Sequence, residues 1–367
     1  MVSPVDRRRR RTVDGMTLSE LMVVIAGVAI LMAILLPSLA MFRESARKVQ
    51  CANNISRLGK AFAAYDLSQA QLPGWRNVLE TYTSAHTTRK GNPKEEIACV
   101  SWTVMLMPYL DEREISEWYT SFTTARVADN AMAKRVNLLI CPVMARWMTS
   151  PSPLCYFGNG GSGGMSLDGF NRQYLGDGVL ADAAGNLPSM PWFTHWGGHK
   201  EYPGARYALS DIAEGDGTSN TMLLAERTGP VAPTDVSWAD NPLPPVNNAD
   251  TSVKTMHVVL HTRGIHPGYG APGGGESLHA TMNTWMKTRG DNGLRYPSSR
   301  HEGGFMTVFC DGHVRFVANS VDEWVYTQIL TSDSRHISMR VALFQQKPLP
   351  DGTLIPYLFD DRDLDGQ

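Results

Sequence analysis

The sequence predicts an α+β protein: a long N-terminal helix, apolar through its first half, packed on an antiparallel β-sheet head with large loop-rich insertions. Three observations predict it. Sixteen consecutive residues, 21–36, carry no charge and no strong hydrogen-bonding side chain. Apolar residues then recur at three- and four-residue spacing from Phe42 to Tyr65. Beyond residue 150, short strand-like runs alternate with stretches rich in Gly, Pro, Asn and aromatic residues.

The helix is the clearest element. Residues 16–41 hold a single ionisable side chain, Glu20. At 1.5 Å per residue that stretch reaches about 39 Å, enough to cross a hydrocarbon core of about 30 Å. Five consecutive arginines, Arg7 to Arg11, stand before it against Asp6 and Asp14. A basic flank ahead of an apolar run places the N-terminus in the cytoplasm and the rest of the chain outside it. Past Pro37, Phe42, Ala46 and Val49, and then Ile55, Leu58, Phe62 and Tyr65, recur at three- and four-residue spacing along faces of a helix. Arg43, Glu44, Arg47, Lys48, Arg57 and Lys60 fill the others, and Pro73-Gly74 ends the region. A helix from Thr17 to about Asp66 would be roughly 75 Å long.

The head is mixed. Residues 101–122 read as an apolar segment stopped by Pro108 and then a helix. VNLLICP, residues 136–142, reads as a short buried strand. YALSDI and TMLLAER read as strands on either side of DGTSNT, residues 216–221. The strongest hairpin signal is Asp311-Gly312 between Cys310 and His313, the two-residue type I′ pattern, which would set Phe309 against Val314 and Thr307 against Phe316. A final short helix is expected from Asp322 to Ile329.

Composition excludes several classes. The net charge is −2, which argues against a nucleic-acid binder working through bulk positive charge. Five Cys, none in a CxxC pair, exclude a disulfide scaffold, a zinc ribbon and a thioredoxin-type site. In a head outside the cytoplasm they could still form one or two disulfides, with connectivity open. The Gly-rich runs at 158–164 and 268–275 lack phosphate-cradle spacing, and GxSxG is absent. His195/His199 and His257/His261 are four apart, with His266 following, but neither pair sits in a convincing helix with a third ligand. Trp192, Phe193, Trp196, Tyr202 and Tyr207 could stack on sugar rings and more often anchor loops. Asp361, Asp363 and Asp365, followed by Gly366, form the first half of an EF-hand-type loop, a candidate Ca2+ site that another loop would have to complete. No other cofactor is expected.

The stretch Gly15-Met16-Thr17-Leu18-Ser19-Glu20 resembles the type IV prepilin cleavage and methylation motif. A secretory signal peptide and an ordinary signal anchor fit less well: the apolar run is long and Glu20 needs a reason. The resemblance implies that a prepilin peptidase/methyltransferase cuts after Gly15 and methylates Met16. Glu20 then matches the family's acidic residue at mature position five, and Pro37 its common kink. Met stands where Phe is usual at the first mature position. The Glu20 carboxylate could pair with a neighbouring subunit's terminal amine during assembly, and Thr17 with Glu20 could also form a capping box.

Four further stretches resemble a large bacterial family of prepilin-like proteins of unknown function. They are QCANNISRLGKAFAAY, SWTVMLMPYLDE, DGTSNTMLLAER with Glu226, and His301 followed nine residues later by Asp311-Gly312. If the intervening residues form a strand, His301 and Asp311 lie too far apart to act as a dyad. Asp311-Gly312 is then the turn, and His301 a loop anchor. The resemblance implies residues 1–15 as a cleaved leader, 16–68 as a pilin-like helix with its membrane half at about 17–41, and 69–367 as a head outside the cytoplasm. It implies an inner-membrane, single-pass pilin or pseudopilin subunit, partnered by membrane lipid and other pilin-like subunits, and not an enzyme. A membrane-tethered carbohydrate-binding or hydrolytic envelope protein, and a minor pseudopilin of a type II secretion system, remain open alternatives.

Overall fold

A computed structural model describes residues 16–87, 93–121, 134–145, 148, 150–160, 178–181, 183, 206–227, 237–239, 259–260, 297, 299–321, 323–333, 346–348 and 354–356. The chain divides into two units, residues 1–47 and 48–367. Helix α1, Leu18–Gln69, is a single 52-residue element that contributes to each.

In the first unit, α1 begins at a reciprocal cap. The Thr17 backbone N–H donates to Glu20 Oε2 at 2.9 Å, and the Glu20 N–H donates to Thr17 Oγ1 at 3.3 Å. This is the capping box that Thr-x-x-Glu allows, and it satisfies two of the helix's orphan donors. The window Leu18–Leu35 has a mean hydropathy of 2.5 and none of it is buried. It is long and apolar enough to cross a membrane. The helix is continuous through Pro37.

In the second unit, the remainder of α1 is amphipathic from Cys51 onward, while Val49, six residues before Ile55 and therefore on another side of the helix, is 60% exposed. Cys51, Ile55, Leu58, Phe62 and Tyr65 are buried, while Arg57 and Lys60 face solvent. After Gly74 the chain forms an antiparallel hairpin of β1, Arg76–Thr87, and β2, Pro93–Ser101. Two short helices follow: α2, Trp102–Leu106, and α3, Arg113–Ser121, joined by a 3-10 turn at Met107–Leu110 that contains Pro108. This matches the expected apolar segment, stop and helix.

The main sheet has five strands in the order β5-β3-β4-β6-β7. They are β3, Tyr156–Asn159; β4, Met222–Glu226; β5, Val259–Leu260; β6, Gly304–Phe309; and β7, Val314–Ala318. All pairings are antiparallel except β3 with β5. Helix α4, Leu209–Glu214, precedes β4, and α5, Glu323–Leu330, follows β7. A small hairpin pairs β8, Gln346–Pro348, with β9, Leu354–Pro356. One buried cluster includes Phe62, Trp102, Leu139, Leu224, Phe305 and Tyr326, joining α1, the main sheet and the short helices. The rings of Phe62 and Trp102 lie 5.3 Å apart. A Cβ added at Gly59 would sit 2.9 Å from Val308 Cγ2, so α1 crosses β6 at a position where only a hydrogen fits without movement.

Three local expectations are corrected. Residues 136–142 do not form a strand; Asn137–Leu139 is a 3-10 turn. Most of YALSDI is helix α4 rather than strand, its start fixed by Asp211, whose carboxylate accepts the Ala208 N–H at 2.8 Å. The β6–β7 hairpin is shifted by one residue. Val308 pairs with Val314, Thr307 with Arg315 and Met306 with Phe316. Phe309 and His313 close the loop, with the Phe309 N–H donating to the His313 carbonyl at 3.0 Å. The loop is therefore three residues, Cys310, Asp311 and Gly312, with Gly312 at φ +89°. A turn followed by a left-handed Gly is the other common hairpin solution for this dipeptide.

Candidate functional site

The described residues contain one convergent cluster of chemistry-bearing side chains: Cys51, Cys141, Glu226 and His301. Four segments distant in sequence deliver them. Cys51 lies on the buried face of α1, and Cys141 stands two residues after the Asn137–Leu139 turn. Glu226 ends β4, and His301 stands three residues before β6. Their donor atoms all lie within 4.8 Å of one another, and the four residues are between 0% and 3% exposed.

The geometry is specific. The Cys51 thiol donates to Glu226 Oε1 at 2.5 Å, and its sulfur lies 3.1 Å from the Tyr156 hydroxyl. His301 Nε2 sits 3.5 Å from Glu226 Oε1 and 3.8 Å from Cys141 Sγ. Glu226 Oε2 accepts the Met306 backbone N–H at 2.9 Å. Burial would raise the Glu226 carboxyl, but the hydrogen bond and charge of His301, with help from Cys51 and the Met306 N–H, outweigh it and hold the group below the usual carboxylate range. Burial, then the contact with Cys141 and the Glu226 charge, pushes the Cys51 thiol up. The hydrogen bond with Cys51, aided by His301, pulls the Cys141 thiol down against its own burial. One site thus holds an ionised carboxylate, an imidazole and two inequivalent thiols, a donor set able to bind a soft or borderline metal ion.

A second buried group lies next along the chain. Arg227 is 1% exposed and stacks its guanidinium 4.5 Å over the Phe157 ring. None of its three guanidinium nitrogens has a hydrogen-bond partner among the described residues, and burial lowers its pKa to about 9.

The sequence-predicted residues fall elsewhere or join this site unexpectedly. His301 is not merely a loop anchor; its ring belongs to the cluster. Asp311 does not meet it, and instead binds His313, with its Oδ1 3.0 Å from the His313 N and 2.6 Å from Nδ1. The His313 ring stacks on Phe309 at 4.4 Å. The DGTSNT segment docks on this same turn. The Cys310 N–H donates to Thr221 O at 3.0 Å and the Asp311 N–H to Thr218 O at 3.1 Å. Thr331 Oγ1 donates to Asp216 Oδ2 at 2.9 Å, tying the segment to the end of α5. Met16 is described and exposed, Glu20 caps α1, and Pro37 lies within it. Gly15, Asp361, Asp363, Asp365, His195, His199, His257, His261, His266, Trp192, Phe193, Trp196 and Tyr202 lie outside the described residues. Tyr207 is buried rather than presented. Cys51, Cys141, Cys155 and Cys310 are free thiols.

Cys51, Glu226 and His301 stand in three separate family-like stretches that no local pattern joins, and Cys141 stands in none of them. The available signal was that each stretch holds one buried-type metal-ligating residue.

The fold and site define an α+β protein with an apolar N-terminal helix, a five-stranded mainly antiparallel sheet and a buried Cys-Cys-Glu-His cluster. A family model described as a protein of unknown function, DUF1559, matches residues 41–323, and the chain belongs to that family. No curated protein and no solved structure matches it.

Proposed function

We propose that the protein is a membrane-anchored, pilin-like structural subunit, cut after Gly15, methylated at Met16 and assembling through α1. The observation that carries this reading is the helix itself. An 18-residue window of mean hydropathy 2.5, wholly exposed, has Glu20 as its one ionisable group. Exposed apolar surface on that scale needs lipid or other helices to cover it. The capping box supports a helix that starts just after the proposed cut, so a freed Met16 amine would stand within a turn of the Glu20 carboxylate of a neighbour packed in near register. Belonging to the DUF1559 family is compatible with this role. The cluster at Glu226 and His301, whose side chains are both 0% exposed, offers a substrate no approach, which favours a structural over a catalytic head.

Mass spectrometry of the N-terminus tests the reading. Chains beginning at N-methylated Met16 are expected from cells that hold a prepilin peptidase; an intact residue 1–15 leader in membrane-inserted protein would falsify it. A Glu20→Ala variant is expected to be cut normally but recovered poorly in cross-linked assemblies. Undiminished assembly would remove the pairing role.

A further inference from the structure

We infer that Cys51, Cys141, Glu226 and His301 are the four ligands of a structural metal ion, zinc by the chemistry of the donors. This inference does not depend on membrane assembly. Two sulfurs, one imidazole nitrogen and one carboxylate oxygen form a set that suits Zn2+ and does not suit Ca2+ or Mg2+, which take oxygen ligands.

The spacing fits a tetrahedron. Metal–ligand bonds of about 2.0–2.3 Å place tetrahedral ligands roughly 3.3–3.8 Å apart. His301 Nε2 to Glu226 Oε1 is 3.5 Å, and Cys141 Sγ to His301 Nε2 is 3.8 Å. The 2.5 Å between Cys51 Sγ and Glu226 Oε1 is a hydrogen bond through the thiol proton. When the ion takes that proton's place, the two atoms move about 1 Å apart to reach ligand spacing. Binding releases the proton of each thiol and the Nε2 proton of His301, so that the imidazole coordinates in its neutral form through Nε2. Two thiolates and a carboxylate are then met by a dication.

Surrounding groups are arranged to hold such ligands. The Met306 N–H occupies Glu226 Oε2, which leaves Oε1 turned toward the other three donors. The Tyr156 hydroxyl lies 3.1 Å from Cys51 Sγ, in place to donate to a thiolate. A carboxylate, an imidazole and two thiols buried together are costly unless each is well paired, and a single ion would pair all four at once. All four positions are protein ligands and closed to solvent, the pattern of a structural rather than a catalytic site. The ion would tie α1, the segment after the Asn137–Leu139 turn, β4 and the loop before β6 to one point.

The competing occupant of this space is a Cys51–Cys141 disulfide, since the two sulfurs also lie within 4.8 Å. Full-length protein in detergent, reduced and stripped of metal, then equilibrated with Zn2+ alone and dialysed, distinguishes the two. About one zinc per chain is expected by elemental analysis, as a single four-ligand site requires. Co2+ in its place is expected to give thiolate-to-cobalt charge-transfer absorption. Cys51→Ser and Cys141→Ser are expected to lose the bound metal, and Cys310→Ala to keep it. Tyr156→Phe is expected to weaken zinc affinity about 10-fold or more, the scale for an outer-shell partner. The wild-type chain decides the matter even if a variant fails to fold. Folded wild-type protein that retains no zinc overturns the inference. So does zinc retained by both serine variants, or a Cys51–Cys141 disulfide in unreduced protein taken from membranes.

Discussion

Gly312 shows how one residue fixes a register. Its φ of +89° lies in the left-handed region, which a Cβ makes costly, and no atom lies within 4 Å of where a Cβ would stand. The position is therefore limited by backbone strain and not by crowding. Gly312→Ala is expected to destabilise the head by about 1–2 kcal/mol, read as a lower unfolding midpoint with the same ligand-free spectrum as the parent. An unchanged midpoint would remove the strain argument. The dipeptide Asp311-Gly312 announced a turn, and the turn is there. It did not announce its length, because a two-residue type I′ loop and a three-residue loop both place a Gly at positive φ. Only the hydrogen bond between Phe309 and His313 separates them. A shift of one residue moves every side chain of β7 relative to β6 to a different partner. His301 was legible as a special residue from its spacing to Asp311, yet its partners were not. Those partners come from segments whose proximity no local pattern encodes.

Among elements, α1 was read closely from its sequence. A run of straight-chain and branched apolar residues followed by a three-and-four repeat predicts both halves, and the observed Leu18–Gln69 agrees with the expected limits to within three residues at either end. Short apolar runs were less legible. VNLLICP and YALSDI carry no more than about two helical turns or one strand's worth of pattern, so periodicity cannot decide between them. Asp211 decides the second by capping Ala208, and packing against Cys155, whose N–H donates to the Leu139 carbonyl at 2.8 Å, helps hold the first as a tight turn. The contact of α1 with the head is expected to carry much of its stability. Phe62 is fully buried against Trp102. Phe62→Ala is expected to cost about 3–5 kcal/mol, measured by denaturant unfolding of the detergent-solubilised chain. Loss below about 1 kcal/mol would mean that this face of α1 closes over the gap or is not packed as described.

For the whole molecule, the decisive quantity is the apolar surface that residues 18–35 leave uncovered. Ile25 is 58% exposed near the middle of that window. Placing a charge there costs about 2.5–3.5 kcal/mol on insertion scales. Ile25→Arg is expected to reduce the share of protein that stays with alkaline-washed membranes, while Ile25→Leu is expected to leave it unchanged. Equal retention of the two variants would sink the membrane reading of this helix. The sequence alone determined that rod, because hydropathy and period are local properties of consecutive residues and need no partner to be read. It also determined that the head would be α+β, with a turn at Asp311-Gly312. Tertiary structure decided where Cys51, Cys141, Glu226 and His301 meet. Their convergence depends on how α1 crosses the sheet and where β4 ends. Those outcomes follow from packing among segments some 75 to 90 residues apart, a distance over which side-chain spacing carries no information.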